Sequence, residues 1–501
     1  MGLAIVLALL GFAALGAPLF AVFGAAALIL FGRMADTPLS GAANDMYSEK
    51  FADSPLLVTI PLFTLAGVLM AESGTPRRLV EVSKALLGWL PGGLGIVCLV
   101  ASAIFTTFTG GSGITIVAIG ALLLPALQQE KYPEKFSLGL VTSGGSLGLL
   151  FPPSLPIILY GVVAGVEIER LFLAGLLPGL VTLVALGLFG SVVAVKAGIQ
   201  RTPFQPREAL RALWIAKWEA ALPVVLIAGM ATGALRIHEA AAFTALYVLV
   251  VEVFVYRDID FRKDIPRIIR ESTTLVGAIL IILAAAIGFT AYLIQANVPQ
   301  AILESMQRLI SSKYTFLFVL NLFLLVVGML MDIFSAIVVV VPLIVPIATH
   351  FGINPLHLGI VFLLNLEIGY LTPPVGLNLF ISSFRFNRPM SEVYRAVVMP
   401  IALLLVSLAI TTYVPWLTTW HPSTREAGVT IDRDSSLPLN GGGAAEPSGG
   451  ETLDGLGDDS GGATLDDLSG GGGETLDDLV GNGAAAPEAP TPADSGAPSA
   501  P

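Results

Sequence analysis

The stretch from Phe108 to Gly161 reads FTGGSGITIVAIGALLLPALQQEKYPEKFSLGLVTSGGSLGLLFPPSLPIILYG and decides how the whole chain is interpreted. Its apolar helical runs are interrupted twice, at TGGSG (109–113) and at FPPS (151–154). In membrane hydrocarbon every backbone N–H and C=O needs a partner, so a broken helix is tolerated only where it is buried in protein or lines a polar cavity. The two breaks therefore predict the position of a functional site.

The composition indicates a membrane protein with many spans. Of 501 residues, 55% are hydrophobic and 13% are charged, and apolar runs of about twenty residues recur along the chain. This pattern predicts an all-α polytopic membrane protein and excludes a soluble enzyme. The predicted helices are 3–31, 55–71, 79–90, 94–108, 114–127, 136–150, 154–165, 171–196, 218–232, 238–256, 273–296, 314–330, 333–349, 357–371, 375–384 and 397–418. Segments 114–127 and 154–165 are short for a span and predict re-entrant or half-helices.

Several other classes of site are excluded by simple motifs. The first apolar run, 2–31, has no basic start and no signal-cleavage pattern, so it predicts a first transmembrane element. Cys98 is the single cysteine, which excludes disulfides and Cys-rich metal sites. The four histidines form no H-E-x-x-H pair, and no G-x-x-x-x-G-K-S/T loop for ATP is present.

Basic residues indicate the orientation in the membrane. They concentrate in two connections, Lys196–Lys217 and Arg257–Arg270, which are separated by two predicted helices and so fall on one side. The positive-inside rule makes that side cytoplasmic. Trp214 and Trp218 in the first connection predict an amphipathic segment at the membrane surface.

An internal repeat is the most informative feature of the sequence. Pro125 precedes Pro152-Pro153 by 27 and 28 residues, and Pro346 precedes Pro373-Pro374 by the same distances. FSLGLV (136–141) also matches LHLGIV (356–361). Two halves, about 55–196 and 273–418, are thus offset by 220 to 223 residues. Interruptions at corresponding positions of two halves are typical of secondary transporters with inverted-topology repeats and a site near the membrane midplane.

The backbone groups that the breaks expose are suited to binding ions. Each half offers a hairpin tip, at 109–113 and 328–332, and a Pro-Pro break, at 148–154 and 369–376. A proline removes a donor and frees the carbonyl four residues back, so tandem prolines expose several carbonyls in one place. Carbonyl and hydroxyl oxygens suit an alkali cation, and the N-termini of half-helices attract a carboxylate.

These two halves resemble a known family. The patterns GGSGITIVAIG…SLGLLFPPSLPIILYG and MDIFSAIVVVVPLIVP…NLEIGYLTPPVGLNLF are similar to the large membrane subunit of tripartite ATP-independent periplasmic (TRAP) transporters, within the ion transporter superfamily. The resemblance covers residues 1–420. It implies an elevator-type sodium symporter in the bacterial inner membrane, whose mobile domain carries both hairpins. It also implies two partners, a small four-helix membrane subunit and a periplasmic binding protein that delivers a small organic acid.

The resemblance further implies the residues of two sodium sites. The first would use Thr109, Ser112, Gly148, Phe151 and Pro152, and the second Gly328, Gly369, Thr372 and Val375, largely through backbone oxygens. The first tip reads TGGS where the family usually has SGSS, and an alternative is that the hydroxyls of Thr109 and Ser112 are only helix-bonded.

Polar residues near the breaks are the remaining site candidates. Ser154, Asn365 and Asn378 are the candidate substrate contacts, and Asn378, on a half-helix, is the one expected to face the cavity. Glu367 and Asp332 are functional candidates because ionisable groups are costly inside a membrane. The alternative is that each sits at a helix end paired with a loop arginine.

The segment 425–501 is a separate unit of organisation. It carries 15 Asp or Glu and 2 Arg, so it holds a charge of −13 while the rest of the chain holds +2. Its Gly, Pro, Ala and acid content predicts disorder. Three units, ETLDGL (451–456), ATLDDL (463–468) and ETLDDL (474–479), resemble short motifs that fold on a partner, or are low-complexity drift. We expect this tail on the cytoplasmic side.

Two competing functions stay open from sequence. One is an ion-coupled carboxylate transporter that works without a binding protein. The other is an intramembrane hydrolase built on Ser112 and a membrane histidine, which the absence of a G-x-S-x-G motif and the presence of the repeat disfavour.

Overall fold

The computed structural model describes residues 19–32, 57–200, 203–298, 301, 304, 310 and 312–425. Every regular element in these ranges is a helix, as predicted. The first half contains α1 (Leu19–Phe31), α2 (Thr59–Glu72), α3 (Thr75–Leu87), α4 (Gly93–Thr109), α5 (Ser112–Gln129), α6 (Glu134–Gly144), α7 (Leu155–Ala164) and α8 (Ile168–Lys196). The middle contains α9 (Pro206–Ile215), α10 (Lys217–Ala231), α11 (Ile237–Val250) and α12 (Asp264–Gln295). The second half contains α13 (Lys313–Leu330), α14 (Ile333–His350), α15 (Pro355–Gly369), α16 (Leu377–Arg385), α17 (Met390–Tyr413) and α18 (Pro422–Arg425).

The helices have the lengths that a polytopic membrane protein needs. Among the described residues, seven helices are long and apolar enough to cross a membrane, or up to nine if each of two bent pairs is one span. One bent pair is α6, extended by a 3-10 turn to Leu150, with α7, and the angle between them is 45°. The other is α9 with α10, bent by 74°. The helix α9 carries Trp214, whose side chain is exposed, and so forms the amphipathic segment that the sequence predicts.

One length prediction was wrong. The segment 114–127 was expected to be short for a span, but α5 has 18 residues and passes the length and hydropathy test for a span. The helix starts directly after the glycine turn, at Ser112, and continues through Pro125 to Gln129. The predicted helices 273–296 and 397–418 also begin late, because the first turns of α12 and α17 are polar.

Both halves follow the same order of elements. In the first, α4 and α5 form a helical hairpin, and α6 and α7 follow with the Pro-Pro break between them. In the second, α13 and α14 form the hairpin, and α15 and α16 flank the break. The bonds Pro152–Pro153 and Pro373–Pro374 are both cis.

Ion pairs gather on one face of the molecule. We call the side that carries the connections Lys196–Lys217 and Arg257–Arg270 the basic face. Two ion pairs link other elements to this face, Arg267 with Glu72 and Arg78 with Asp258. Lys84, on the same helix as Arg78, pairs with Glu130 after α5, and Glu134 nearby pairs with Arg388. The open end of the α4–α5 hairpin therefore lies on the basic face.

The end of the described chain lies on the opposite face. The Trp420 indole N–H donates to the Leu173 carbonyl oxygen at 3.1 Å, near the start of α8, whose other end is Lys196. At 1.5 Å per residue, these two points on α8 are about 34 Å apart. The Asn354 amide donates to the Thr424 carbonyl oxygen at 3.1 Å, which places the open end of the α13–α14 hairpin on this opposite face. The two hairpins thus enter from opposite sides, as inverted repeats require, while the internal symmetry of the repeats stays a prediction.

The connecting helix α3 is fixed on the basic face by one buried arginine. Arg78 pairs with Glu219, with Glu252 at 2.8 Å and with Asp258 at 2.5 Å. Its guanidinium carbon lies 3.8 Å from the centre of the Tyr256 ring. Burial lowers the pKa of Arg78, but the three carboxylates raise it by more, so its pKa lies above that of a free arginine. We call these five residues the Arg78 cluster.

Candidate functional site

The first hairpin tip is a tight glycine turn. The helix α4 ends at Thr109 because Gly110 adopts a left-handed conformation with φ of 62°, and its N–H donates to the Thr106 carbonyl oxygen at 2.8 Å. A Cβ atom on Gly110 would lie 2.9 Å from the Leu155 Cβ atom. Both the backbone conformation and the close contact with the start of α7 therefore require glycine.

The first Pro-Pro break packs directly against the first hairpin. A Cβ atom on Gly148 would lie 2.6 Å from the Thr106 Cβ atom and 2.6 Å from the Thr107 nitrogen. The Thr107 hydroxyl oxygen lies 3.2 Å from the Gly148 carbonyl oxygen, and the Thr106 hydroxyl oxygen lies 2.8 Å from the Gly145 carbonyl oxygen. The end of α4, the start of α5 and the turn before the prolines therefore converge, as the first predicted sodium site needs.

The two hydroxyls of the first tip have different partners. The Thr109 hydroxyl donates to the Phe105 carbonyl oxygen of its own helix at 3.1 Å, which matches the helix-bonded alternative. The Ser112 hydroxyl donates to the Asn378 Oδ1 atom at 2.7 Å. Because these two residues are 266 positions apart, this bond joins the first hairpin to the broken helix of the second half.

The second tip and the second break meet through glycines. A Cβ atom on Gly369 would lie 2.6 Å from the Gly328 Cα atom. The Gly376 N–H donates to the Met329 carbonyl oxygen at 3.3 Å. The Ile333 N–H donates to the Tyr370 hydroxyl, directly after Gly369. Gly328 and Gly369 of the second predicted sodium site are thus in contact, and the start of α16 lies beside the end of α13.

Carbonyl oxygens at both breaks lack a hydrogen-bond donor from the described chain. They include the carbonyl oxygens of Phe151 and Pro152 in the first half and of Thr372 and Val375 in the second, of which Val375 is 40% exposed and the other three are half-buried. The Thr372 hydroxyl donates to the Ile368 carbonyl oxygen at 2.9 Å, so its contribution is through the backbone. Unpaired carbonyl oxygens are costly in a membrane unless a ligand satisfies them. As hard oxygen ligands they fit an alkali cation.

Two of the three predicted substrate contacts lie beside the first tip. Ser154 is fully buried, and its hydroxyl has no partner. Asn378 is also fully buried, and its Nδ2 atom has no partner while its Oδ1 atom accepts from Ser112. Asn365 lies elsewhere, because its amide donates to the Asn321 Oδ1 atom and to the Val361 carbonyl oxygen, both at 2.8 Å.

The two acidic candidates, Asp332 and Glu367, differ in the partners of their carboxyl groups. Asp332 caps α14 by accepting from the Ser335 N–H at 3.0 Å, so it sits at a helix end. Glu367 is fully buried in α15, its carboxyl has no ion pair within the described residues, and the Ser146 hydroxyl is close enough to interact with it. The alternative that a loop arginine pairs with Glu367 or Asp332 is therefore wrong for the described part of the chain.

The groups needed for a hydrolase are not assembled around Ser112. Its hydroxyl faces Asn378, and the buried His357 bonds the Thr418 hydroxyl at 2.8 Å and the Thr412 carbonyl oxygen at 3.3 Å.

Some polar residues were missed from sequence. Asn321 joins α13 to α15 and donates to the Thr412 hydroxyl of α17 at 3.1 Å. Ser382, one turn after Asn378, is buried without a partner. A single amide side chain in an apolar run, as at Asn321, predicts a hydrogen bond between helices and could have been identified from the sequence.

The comparisons with known proteins agree with this architecture. Residues 6–417 match the family model described as "Tripartite ATP-independent periplasmic transporter, DctM component". The C4-dicarboxylate TRAP transporter large permease protein DctM of Vibrio cholerae is 33% identical over 83% of this chain and 96% of its own length. Its namesake from Pseudomonas aeruginosa is 37% identical over 72% of this chain and 84% of its own.

A third relative and a solved structure extend the comparison. The isethionate TRAP transporter permease protein DctMQ of Oleidesulfovibrio alaskensis is 34% identical over 81% of this chain and 64% of its own length. The YdaH transporter of Alcanivorax borkumensis shares the fold, with a TM-score of 0.59 over 81% of this chain and 99% of its own, at 14% identity. Taken with the two hairpins and Pro-Pro breaks, the family match shows that this chain belongs to the DctM family, the large membrane permeases of TRAP transporters.

Proposed function

We propose that this chain is the permease of a sodium-coupled symporter that moves a small organic anion into the cell. The orphaned carbonyl oxygens at the two breaks carry the proposal, since they lie beside glycine-packed hairpin tips where cations would be held. We assign one sodium ion to Thr109, Ser112, Gly148, Phe151 and Pro152. We assign the other to Gly328, Gly369, Thr372 and Val375.

The substrate would be an organic acid, with C4-dicarboxylates as the first class to test. Two related permeases are named for C4-dicarboxylates and a third for isethionate, and all of these are small anions. The helices α5, α7 and α16 start at the breaks, and their positive N-terminal ends favour a carboxylate.

The proposed setting is the bacterial inner membrane, with the basic face in the cytoplasm. The proposed partners are a small four-helix membrane subunit and a periplasmic binding protein, as in a tripartite system. An elevator-type movement of the two hairpins would carry the substrate across.

Reconstitution in proteoliposomes tests these points. The permease and its small subunit are reconstituted with a sodium gradient directed inward, and uptake of [14C]succinate is measured with and without the binding protein. We expect uptake only when sodium and the binding protein are both present. Uptake that is independent of the binding protein would instead favour the self-sufficient carboxylate transporter, and uptake without sodium would refute the coupling.

A further inference from the structure

Two buried polar groups without partners, the Ser154 hydroxyl and the Asn378 Nδ2 atom, lie beside the first hairpin tip, and a third lies outside both broken helices on a helix that packs against the tip. It is the Thr64 hydroxyl on α2. We propose that Thr64 donates a hydrogen bond to the acidic group of the substrate, a carboxylate or a sulfonate, together with Ser154 and Asn378. This inference rests on the proposed function and adds a wall of the site that neither the hairpins nor the broken helices supply.

The helix α2 touches the tip through a glycine. A Cβ atom on Gly67 would lie 2.8 Å from the Phe108 carbonyl oxygen and 2.8 Å from the Thr109 Cα atom. Thr64 precedes Gly67 by three residues, so both lie on the same face of α2. The Thr64 side chain is 2% exposed. Its hydroxyl is therefore enclosed on the side of α2 that faces the tip.

The absence of a partner distinguishes Thr64 from most other buried threonines of the described chain. Several of them donate to the carbonyl oxygen four residues earlier, which satisfies the hydroxyl within the helix: Thr106, Thr107, Thr109, Thr142, Thr182 and Thr244. Thr64 makes no such bond, although it lies inside α2 with Ile60 in the matching position. A buried donor left unpaired is unfavourable and calls for a ligand or another explanation.

The other two unpaired groups approach the tip from different elements. Ser154 directly precedes Leu155, whose Cβ atom would lie 2.9 Å from a Cβ atom on Gly110. Asn378 reaches the tip through its bond with Ser112. Together with Thr64, these groups approach the tip from α2, α7 and α16.

The chemistry of the three groups favours an anion over a cation. The free atom of Asn378 is Nδ2, which can only donate, and the Thr64 and Ser154 hydroxyls can both donate. A sodium ion needs oxygen acceptors, and an amide nitrogen would repel it. A carboxylate accepts from several donors at once, so the set suits the acidic group of the substrate.

The test is the substitution Thr64→Val, which removes the hydroxyl and keeps the shape. The control is Thr244→Val on α11, where the hydroxyl is equally buried but bonds the Ala240 carbonyl oxygen of its own helix at 2.6 Å. Thr64→Ser restores the donor. Binding of radiolabelled succinate, isethionate or N-acetylneuraminate to the purified permease is measured as a function of substrate and of sodium concentration, with whichever anion the wild type imports.

We expect Thr64→Val to raise the dissociation constant of that anion about 10- to 100-fold, the loss of one hydrogen bond to a charged group. The sodium dependence should stay unchanged, and Thr64→Ser and Thr244→Val should both bind like the wild type. Unchanged anion affinity in Thr64→Val, or an effect on sodium alone, would overturn the assignment of Thr64 and leave the proposed function standing. Uptake by the wild-type system that does not depend on sodium would reject the proposed function itself and this inference with it.

Discussion

The Arg78 cluster allows a prediction whose size follows from the structure. Arg78 is 11% exposed, while the Glu219 and Glu252 side chains that it pairs are 3% and 2% exposed. Removing the guanidinium in Arg78→Ala would leave two carboxylates buried without a cation. Removing one member of a buried pair typically costs about 3–5 kcal/mol of folding free energy.

The neighbouring arginine is a natural control. Among the described residues, Arg77 pairs only with Glu81 of the same helix, at 3.0 Å, and its side chain is 79% exposed. An exposed pair of this kind contributes about 0–1 kcal/mol. Arg77→Ala and Arg78→Ala remove the same side chain from adjacent positions of α3, so the difference between them isolates the effect of burial.

The assay is unfolding of the purified permease in mixed detergent micelles, followed by circular dichroism. We expect Arg78→Ala to lose at least about 2 kcal/mol more than Arg77→Ala. Adding Glu219→Gln and Glu252→Gln to Arg78→Ala should recover part of the loss, because the buried charges are then gone. Equal stability of the two single variants, or a further loss in the triple variant, would contradict the view that Arg78 neutralises buried carboxylates.

Three shorter predictions address the site and the orientation. Ser112→Ala should raise the half-saturating sodium concentration of uptake about 2- to 10-fold, whereas Thr372→Ala keeps the backbone carbonyl, loses only a hydroxyl bonded within its own helix, and should leave that concentration nearly unchanged. Unchanged sodium activation in Ser112→Ala would count against the first site. Gly369→Ala should destabilise the permease by about 1–3 kcal/mol, because the added Cβ atom overpacks the contact with Gly328. Gly187→Ala is the control, since its Cβ atom would meet open space, and it should leave stability unchanged. Thermal unfolding measures both variants, and equal melting curves would refute the close packing of Gly369. If the basic face is cytoplasmic, the opposite face is periplasmic. Alkaline phosphatase fused after Arg425 should then be active and green fluorescent protein at the same position should be dark, and fusions within the α8–α9 connection should give the reverse. The opposite pattern after Arg425 would favour the cytoplasmic position that we expect for the tail from its sequence.

Features that depend on local sequence were predicted well. Apolar runs located the described helices, and the proline spacing located both breaks before any contact was known. Errors occurred where charge hid a helix, as in the first turn of α12. There Arg267 pairs with Glu72 at 2.8 Å, a partner far away in the sequence. Hydropathy cannot show that a charged first turn is stabilised by such a distant residue.

Features that depend on distant partners were not predictable. The sequence marked Glu367 as a candidate but gave no way to decide whether an arginine would reach it. It gave no reason to select Thr64, because a threonine in an apolar helix normally bonds its own backbone. Only the packing of Gly67 against the tip shows which face of α2 meets the site, and the sodium and substrate assignments stay predictions until they are measured.

The bond between Ser112 and Asn378 links the two halves of the proposed cycle. Ser112 belongs to the hairpin that enters from the basic face, and Asn378 belongs to the broken helix that follows the hairpin entering from the opposite face. A sodium ion at the first tip would position Ser112, and Ser112 in turn fixes the side-chain amide of Asn378, which leaves Nδ2 free to donate to an anion. Cation binding in one repeat would thereby prepare the anion contact in the other. Coupling of this kind needs no charged side chain at the contact, which explains how neutral residues could link the sodium gradient to the movement of an organic acid.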